Sequence, residues 1–284
     1  MSLTSIMKGG FSKIVTANIP IPRDKFKPSQ NCVACPKTKN FSLMGTAFDY
    51  LLRSELKRVH PESMETEFVA EASMAKVQGH IMAEGYYQAK NQRIGEKELF
   101  SMVSVAKKYR EARAAFIADG ILKNSFLETT IKFARMDVIF RAGFYDDIDR
   151  NVDPLDIEDM RALYNLTPNE FKNSATNILL DPNFGEVSGI VGGADVDLIM
   201  DNTMIDIKTT KEMKLDEYLW SQLVGYLMLA DEAHHRDRSF PKIENIGLYF
   251  SRYGYLWKIG ADYVRDNPNY DQVKNNLLEG NINS

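Results

Sequence analysis

Apolar positions recur every three to four residues through most of residues 41–143, and the pattern turns β-rich after residue 186. FSLMGTAFDYLLRSELKRV (41–59) predicts a helix with Phe48, Leu51, Leu52 and Leu56 at helical spacing. Period-3.6 stripes with few breakers continue over 67–91, 97–120 and 125–143. Strands are predicted at EVSGIVGGADVDLIM (186–200) and TMIDIKTT (203–210), with a tight turn at Asp201-Asn202. LDEYLWSQLVGYLMLADEAHH (215–235) reads as a helix, and 243–252 with 255–260 as a second strand pair around Tyr253-Gly254. The order implies an α/β core with an inserted α-helical lobe. The expected division is an N-terminal arm over 1–40 and one domain over 41–284. Within that domain, 60–180 is a mainly helical insertion and 186–260 the α/β core.

Charge changes the picture only locally. The chain has 284 residues and a formal net charge of −4, so no global field announces a nucleic-acid binder. Residues 1–40 nevertheless carry seven basic side chains (Lys8, Lys13, Arg23, Lys25, Lys27, Lys37, Lys39) against Asp24 alone. A basic, Pro-containing arm of this kind either tracks phosphates or is simply a solvated end. The longest apolar stretch, 223–230, is too short to cross a bilayer, so no membrane partner is expected. The start of the chain lacks a signal-peptide pattern, which gives a cytoplasmic expectation.

Two candidate ion sites are poor. Cys32 and Cys35 are the only cysteines, and the four histidines (His60, His80, His234, His235) follow no finger spacing. Reduced thiols in a loop are the simpler reading. Asp147, Asp149, Asn151, Asp153 and Glu158 fall at calcium-loop offsets, but Val152 stands where the turn needs glycine. Asp153 as a helix cap with Pro154 in the first turn accounts for that segment more simply.

The predicted 194–208 hairpin carries the chemistry. With its turn between Asp201 and Asn202, Asp197 faces Asp206 and Asp195 faces Lys208, all on one face. Directly opposed positions have Cβ atoms about 5 Å apart. Carboxylates that close repel unless a cation lies between them, and a hard divalent ion suits such oxygens. A lysine beside the ion can orient and activate a bound water and steady a phosphate oxygen. Geometry alone leaves a surface hairpin with paired Asp and Lys equally open. Zinc is disfavoured, since neither His nor Cys lies in the motif.

The run GGADVDLIMDNTMIDIKTT resembles the PD-(D/E)xK nuclease superfamily signature, with Asp206-Ile207-Lys208 matching its D-x-K. Gln222-Leu223-Val224-Gly225-Tyr226, fourteen residues past Lys208, resembles the Q-x-x-x-Y helix of the RecB-type and CRISPR-associated exonuclease branch. Gly45 to Leu52 resembles that branch's first motif, with Asp49 where its metal-binding His stands. The resemblance is tight over 192–226 and loose over 45–52. It implies a restriction-endonuclease-like core, a mixed β-sheet flanked by helices. It also implies Mg²⁺ or Mn²⁺ held by Asp197, Asp195, Asp206, the Ile207 carbonyl and Asp49, with Lys208 assisting the attacking water. A G-x-x-D reading from Gly192 selects Asp195 as the opening acid, whereas the strand register favours Asp197. Some members of the branch carry a four-cysteine iron–sulfur cluster; none is expected here.

The leading expectation is therefore a Mg/Mn-dependent deoxyribonuclease, exonuclease-like on ends or single strands, with RNA not excluded. Gln222, Tyr226, Lys211 and Lys214 are expected to contact nucleic acid, with Tyr226 able to stack on a base; Gln222 and Tyr226, four apart on one helix face, could instead position Lys208. The alternatives are a site-specific restriction endonuclease and a non-catalytic DNA-binding or scaffold subunit of the same fold.

Overall fold

The structure is a computed structural model that describes residues 2–29, 31–173 and 175–280. Its elements begin with helices α1 (Leu3–Ile6) and α2 (Ser12–Asn18), bridged by a π-helical turn over Met7–Phe11. Then come α3 (Phe41–Val59), strand β1 (Met64–Glu65), α4 (Val69–Glu84), β2 (Tyr87–Gln88) and β3 (Arg93–Ile94). The lobe continues with α5 (Glu96–Asp119), α6 (Asn124–Ala134), α7 (Asp137–Ala142) and α8 (Pro154–Asn165). After it follow β4 (Ile178–Leu180), α9 (Glu186–Ile190), β5 (Leu198–Met200), β6 (Thr203–Lys208) and α10 (Glu217–Arg236). The chain closes with β7 (Asn245–Phe250), β8 (Tyr255–Gly260), α11 (Asp262–Arg265) and α12 (Tyr270–Leu278).

The main sheet has six strands in the order β1-β4-β5-β6-β7-β8. β4, β5 and β6 form an antiparallel meander, while β1 and β7 run parallel to their neighbours β4 and β6. A parallel β6–β7 pair cannot be joined by a tight turn, and α10 supplies the crossover. Met200↔Thr203, Ile199↔Met204 and Leu198↔Ile205 pair across β5–β6, the register expected from a turn at Asp201-Asn202. Asp201 adopts φ 52°, a region aspartate tolerates, and its carboxylate accepts from the Thr176 and Asn177 backbone N–H groups at 2.8 and 3.2 Å.

The sheet divides two apolar cores. α10 packs on one face, against Ile199, Met204, Ile246 and Leu248; α3, α5 and α6 pack on the other, against Leu198, Ile205 and Tyr249. Asp153 caps α8 by accepting from Leu155 N–H at 2.9 Å, with Pro154 in the first turn, so that the acidic patch starts a helix.

Three expectations need correction. The 1–40 segment is not a free arm. Leu3, Ile6, Met7, Phe11, Val15 and Ile19 are buried against α10, while Lys8 and Lys13 point away from the core. Gly225 permits this approach, since a Cβ there would lie 2.5 Å from Met7 Cε. The indoles of Trp220 and Trp257 donate to the Ile19 and Lys25 carbonyls at 2.9 Å each, fixing the segment further along. Second, 186–190 is helical. Ser188 Oγ accepts from Phe184 N–H and donates to the Ala194 carbonyl, both at 2.8 Å, so this segment closes a local turn and leaves the sheet. Third, 60–180 is mainly helical, yet β1 and β4 at its two ends are strands of the main sheet.

Candidate active site

The antiparallel meander brings the C-terminal ends of β4 and β6 and the start of β5 to one edge region. Asp206 and Lys208 close β6; Asp197 precedes β5, opposite Asp206 in the continued register; Asp181 directly follows β4. The ladder between β4 and β5 continues through Asp181 N–H to the Asp197 carbonyl at 2.9 Å and a bridge between Asn183 and Asp195. Asp195 thus pairs with the β4 side of the sheet instead of opposing Lys208 in the ladder. It follows Gly192 (φ 73°) and Gly193 (φ 118°), and the second conformation in particular is costly for any residue with a Cβ. α3 runs beside the end of β6, because a Cβ on Gly45 would lie 3.9 Å from Thr209 Cβ. It brings Asp49 and, one turn later, Arg53.

Among the charged groups, Lys208 is the hub. Its Nζ lies 2.6 Å from Asp206 Oδ2 and donates to Gln222 Oε1 at 3.0 Å. Gln222 Nε2 in turn donates to the Tyr226 hydroxyl at 3.1 Å. Gln222 and Tyr226 are only 5% and 6% exposed, and the Tyr226 ring is stacked on Phe184. In this arrangement the pair braces Lys208, and the Tyr226 ring is buried against Phe184 instead of being displayed to a base. Lys211 and Lys214 are exposed, and Lys214 already lies near Glu212 and Asp216.

Asp197 Oδ2 accepts from the Ile207 N–H at 2.5 Å, which ties β5 to the middle residue of the D-x-K. Burial pushes its carboxyl well up, and the Asp206 and Asp49 charges add to this against Lys208 and the Ile207 N–H. Burial also raises Asp206, with Lys208 opposing. Burial alone would lower Lys208, yet Asp206 and Asp197 outweigh it and hold its ammonium above the ordinary lysine range.

Two participants carried no sequence motif. Asp181 stands in the left-handed region at φ 55° and accepts from Arg53 Nη1 at 3.1 Å and Thr66 Oγ1 at 3.1 Å. Arg53, 2% exposed, also bonds Glu65 and the Thr66 carbonyl and faces the Asp49–Asp181 side. Asp181 and Asp195 line a cleft of about 770 Å³ that Glu67 and, from α7, Phe140 and Arg141 also line.

As placed, these side chains do not enclose an ion: among the described residues no three His, Cys, Asp or Glu groups are gathered tightly enough. The donor chemistry still suits a hard cation. Asp49 Oδ1 is buried without a hydrogen-bond partner, and the carboxyls of Asp49, Asp181, Asp197 and Asp206 are all raised, burial being the largest cause. The chain matches no family model, no curated protein and no solved structure.

The raised acids predict a pH dependence of the metal-free protein. Burial, with Asp49 and Asp195 adding and Arg53 opposing, pushes Asp181 up to about 8; burial, opposed first by Arg53, pushes Asp49 up to about 6. Such a folded chain holds protons that the unfolded chain releases at about pH 4. Their contribution is complete at low pH and is lost as pH rises from about 4 through 6 to 8. In EDTA the melting temperature should fall between about pH 5 and about pH 8, and Asp181→Asn should flatten that fall. Parallel curves for the two proteins would refute the assignment.

Proposed function

We propose that the chain is a Mg²⁺- or Mn²⁺-dependent nuclease of the PD-(D/E)xK type that cleaves DNA, acting on ends or single strands. The observation that carries this reading is Asp206 and Lys208 at the end of β6, with Asp197 opposite and Lys208 held by Gln222. The order helix, three-stranded meander, crossover helix, parallel strand (α3, β4–β6, α10, β7) supports a restriction-endonuclease-like core. Asp206, Asp197, Asp195 and Asp49, with the Ile207 carbonyl, are the groups that would hold the metal. Asp181 joins them as a neighbouring acid.

A bound metal would supply Lewis acidity toward a phosphate oxygen and a water made acidic enough to attack. The chain's own groups do the rest. Lys208, kept charged by Asp206, neutralises charge developing on the phosphate. Gln222 fixes the ammonium's direction, and Tyr226 fixes Gln222. Sheet and helices exclude water from the β6 side, where Asp206 is 4% exposed.

Asp206 Oδ2 is taken up by Lys208 at 2.6 Å, and among the described residues no three His, Cys, Asp or Glu groups gather, which favours, as the second reading, a non-catalytic DNA-binding subunit. One experiment separates them. Purified protein with Mn²⁺ should degrade linear DNA, EDTA should stop it, and calorimetry should show weakened Mn²⁺ binding in Asp206→Ala. Absence of cleavage under every divalent ion would favour the second reading, and unchanged Mn²⁺ affinity in the variant would remove Asp206 from the site.

A further inference from the structure

Beside its acids, the cleft has lining residues of another kind, contributed by α7. Phe140 on α7 is 54% exposed and Phe144, just past its end, 43%. Phe140 and Arg141 line the same cleft as Asp181 and Asp195. Arg141 and Phe144 also line a second cavity of about 460 Å³ beside Thr46 of α3, so Arg141 belongs to both and the two adjoin. Lys76 Nζ lies 5.7 Å from the Phe140 ring centre and Lys90 Nζ 5.3 Å from that of Phe144. Among the described residues neither lysine is ion-paired, whereas Asp146, an acid at the second cavity, is engaged by Arg150 at 3.0 Å.

We propose that this face of the helical lobe docks single-stranded nucleic acid, Phe140 and Phe144 stacking on bases while Lys76, Lys90 and Arg141 meet phosphates. The proposal rests on the nuclease reading for its purpose, since the docked strand leads toward Asp195, but its chemistry stands separately. Exposed rings beside unpaired cations complement a polymer that alternates flat apolar bases with negative phosphates. A duplex keeps its base faces stacked inside and can use only the cations. A single strand can use both. The interleaved cations argue against a purely apolar protein partner, which would leave the lysines desolvated and unpaired. Arg141 is held by Asp137 at 3.3 Å yet remains 56% exposed, so its guanidinium is oriented and still open to a phosphate oxygen.

The test is fluorescence anisotropy of labelled oligothymidylate with the full chain in EDTA, against a blunt-ended duplex. Phe140→Ala and Phe144→Ala should each weaken single-strand binding by about five- to 150-fold with the salt dependence unchanged. Their duplex affinity should not move. Phe140→Trp should keep single-strand affinity. Lys76→Ala and Lys90→Ala should each lower the single-strand salt slope by about 0.7. All these side chains are exposed, so the variants are expected to fold, and circular dichroism verifies it. Wild-type protein that ignores oligothymidylate, or alanine variants that bind it as wild type does, would overturn the proposal. Metal is withheld throughout. The expected binding pattern combined with no cleavage in Mn²⁺ would therefore sustain this surface and remove the nuclease reading.

Discussion

Lys208→Ala is expected to lose cleavage by about 10²-fold or more while keeping Mn²⁺ and DNA binding, the scale of a lost electrostatic catalytic group. The structure sharpens which role is lost. Asp206 and Asp197 hold the ammonium above its ordinary range, so at neutral pH Lys208 is a cation and not a base. It can orient a water and steady a phosphate oxygen; it has no lone pair to take a proton. Single-turnover cleavage of end-labelled linear DNA measures the rate, and calorimetry the metal. Lys208→Arg should rescue little, because a planar guanidinium cannot occupy the 2.6 Å and 3.0 Å contacts to Asp206 and Gln222 in the same way. Removing the cation also leaves Asp206 and Asp197 facing each other. Metal-free Lys208→Ala should therefore melt below wild type near neutral pH, and Mn²⁺ should return part of the difference. A variant that cleaves at near wild-type rate would end this mechanism while leaving the fold untouched.

What could be read from the sequence follows the range of the interactions. The β5–β6 register was legible because it is local: Asp201-Asn202 fixes the turn, and the side-chain period of two does the rest. The α3 helix was legible from its apolar spacing alone. Asp181 was not, since it belongs to no local pattern. Only the distant pairing of β4 with β5, and Arg53 arriving from α3, make it part of the site. The N-terminal segment failed for another reason. Its apolar positions 3, 6, 7, 11 and 15 are spaced for a helix face, but the count of lysines drew attention to the exposed side. At 186–190 two β-branched residues favour a strand, and a local side-chain preference decides otherwise: Ser188 bonds across the turn to Phe184 and Ala194. Gln222 and Tyr226 were found from the motif, yet their burial is a property of α10's position between sheet and N-terminal helix. The motif leaves them open as contacts or as supports for Lys208, and their burial beside it favours the second.

The largest effect on stability is expected at a place without catalytic chemistry. Arg252, between β7 and β8, and Asp159 of α8 are fully buried and paired twice, at 2.8 and 3.0 Å. Arg252 Nη1 also donates to the Ala34 carbonyl at 2.8 Å, and its own carbonyl accepts from the Val33 and Ala34 N–H groups at 3.1 and 2.9 Å. One residue thus joins the helical lobe, the sheet and the loop that carries Cys32 and Cys35. Asp159→Ala leaves a guanidinium buried without its partner, which costs about 3–5 kcal/mol. For a chain of this size the melting temperature should fall on the order of 10 °C. Replacing both residues by apolar ones, Asp159→Leu with Arg252→Met, should cost less than either single change, because no charge is then stranded. Urea unfolding of Asp159→Ala, of the single changes Asp159→Leu and Arg252→Met and of the double variant measures this, and a single variant within about 1 kcal/mol of wild type would contradict it. Burial, with Cys35 beside it, pushes the Cys32 thiol up to about 12, so in the intact protein it is protonated and slow toward thiol reagents. In the double variant the side-chain bond to the Ala34 carbonyl is lost, while the main-chain carbonyl of residue 252 still accepts from Val33 and Ala34. Cys32 should then react faster in the double variant, where one of the three bonds between residue 252 and the loop is gone. Unchanged thiol reactivity there would show that the loop is held by something other than this ion pair.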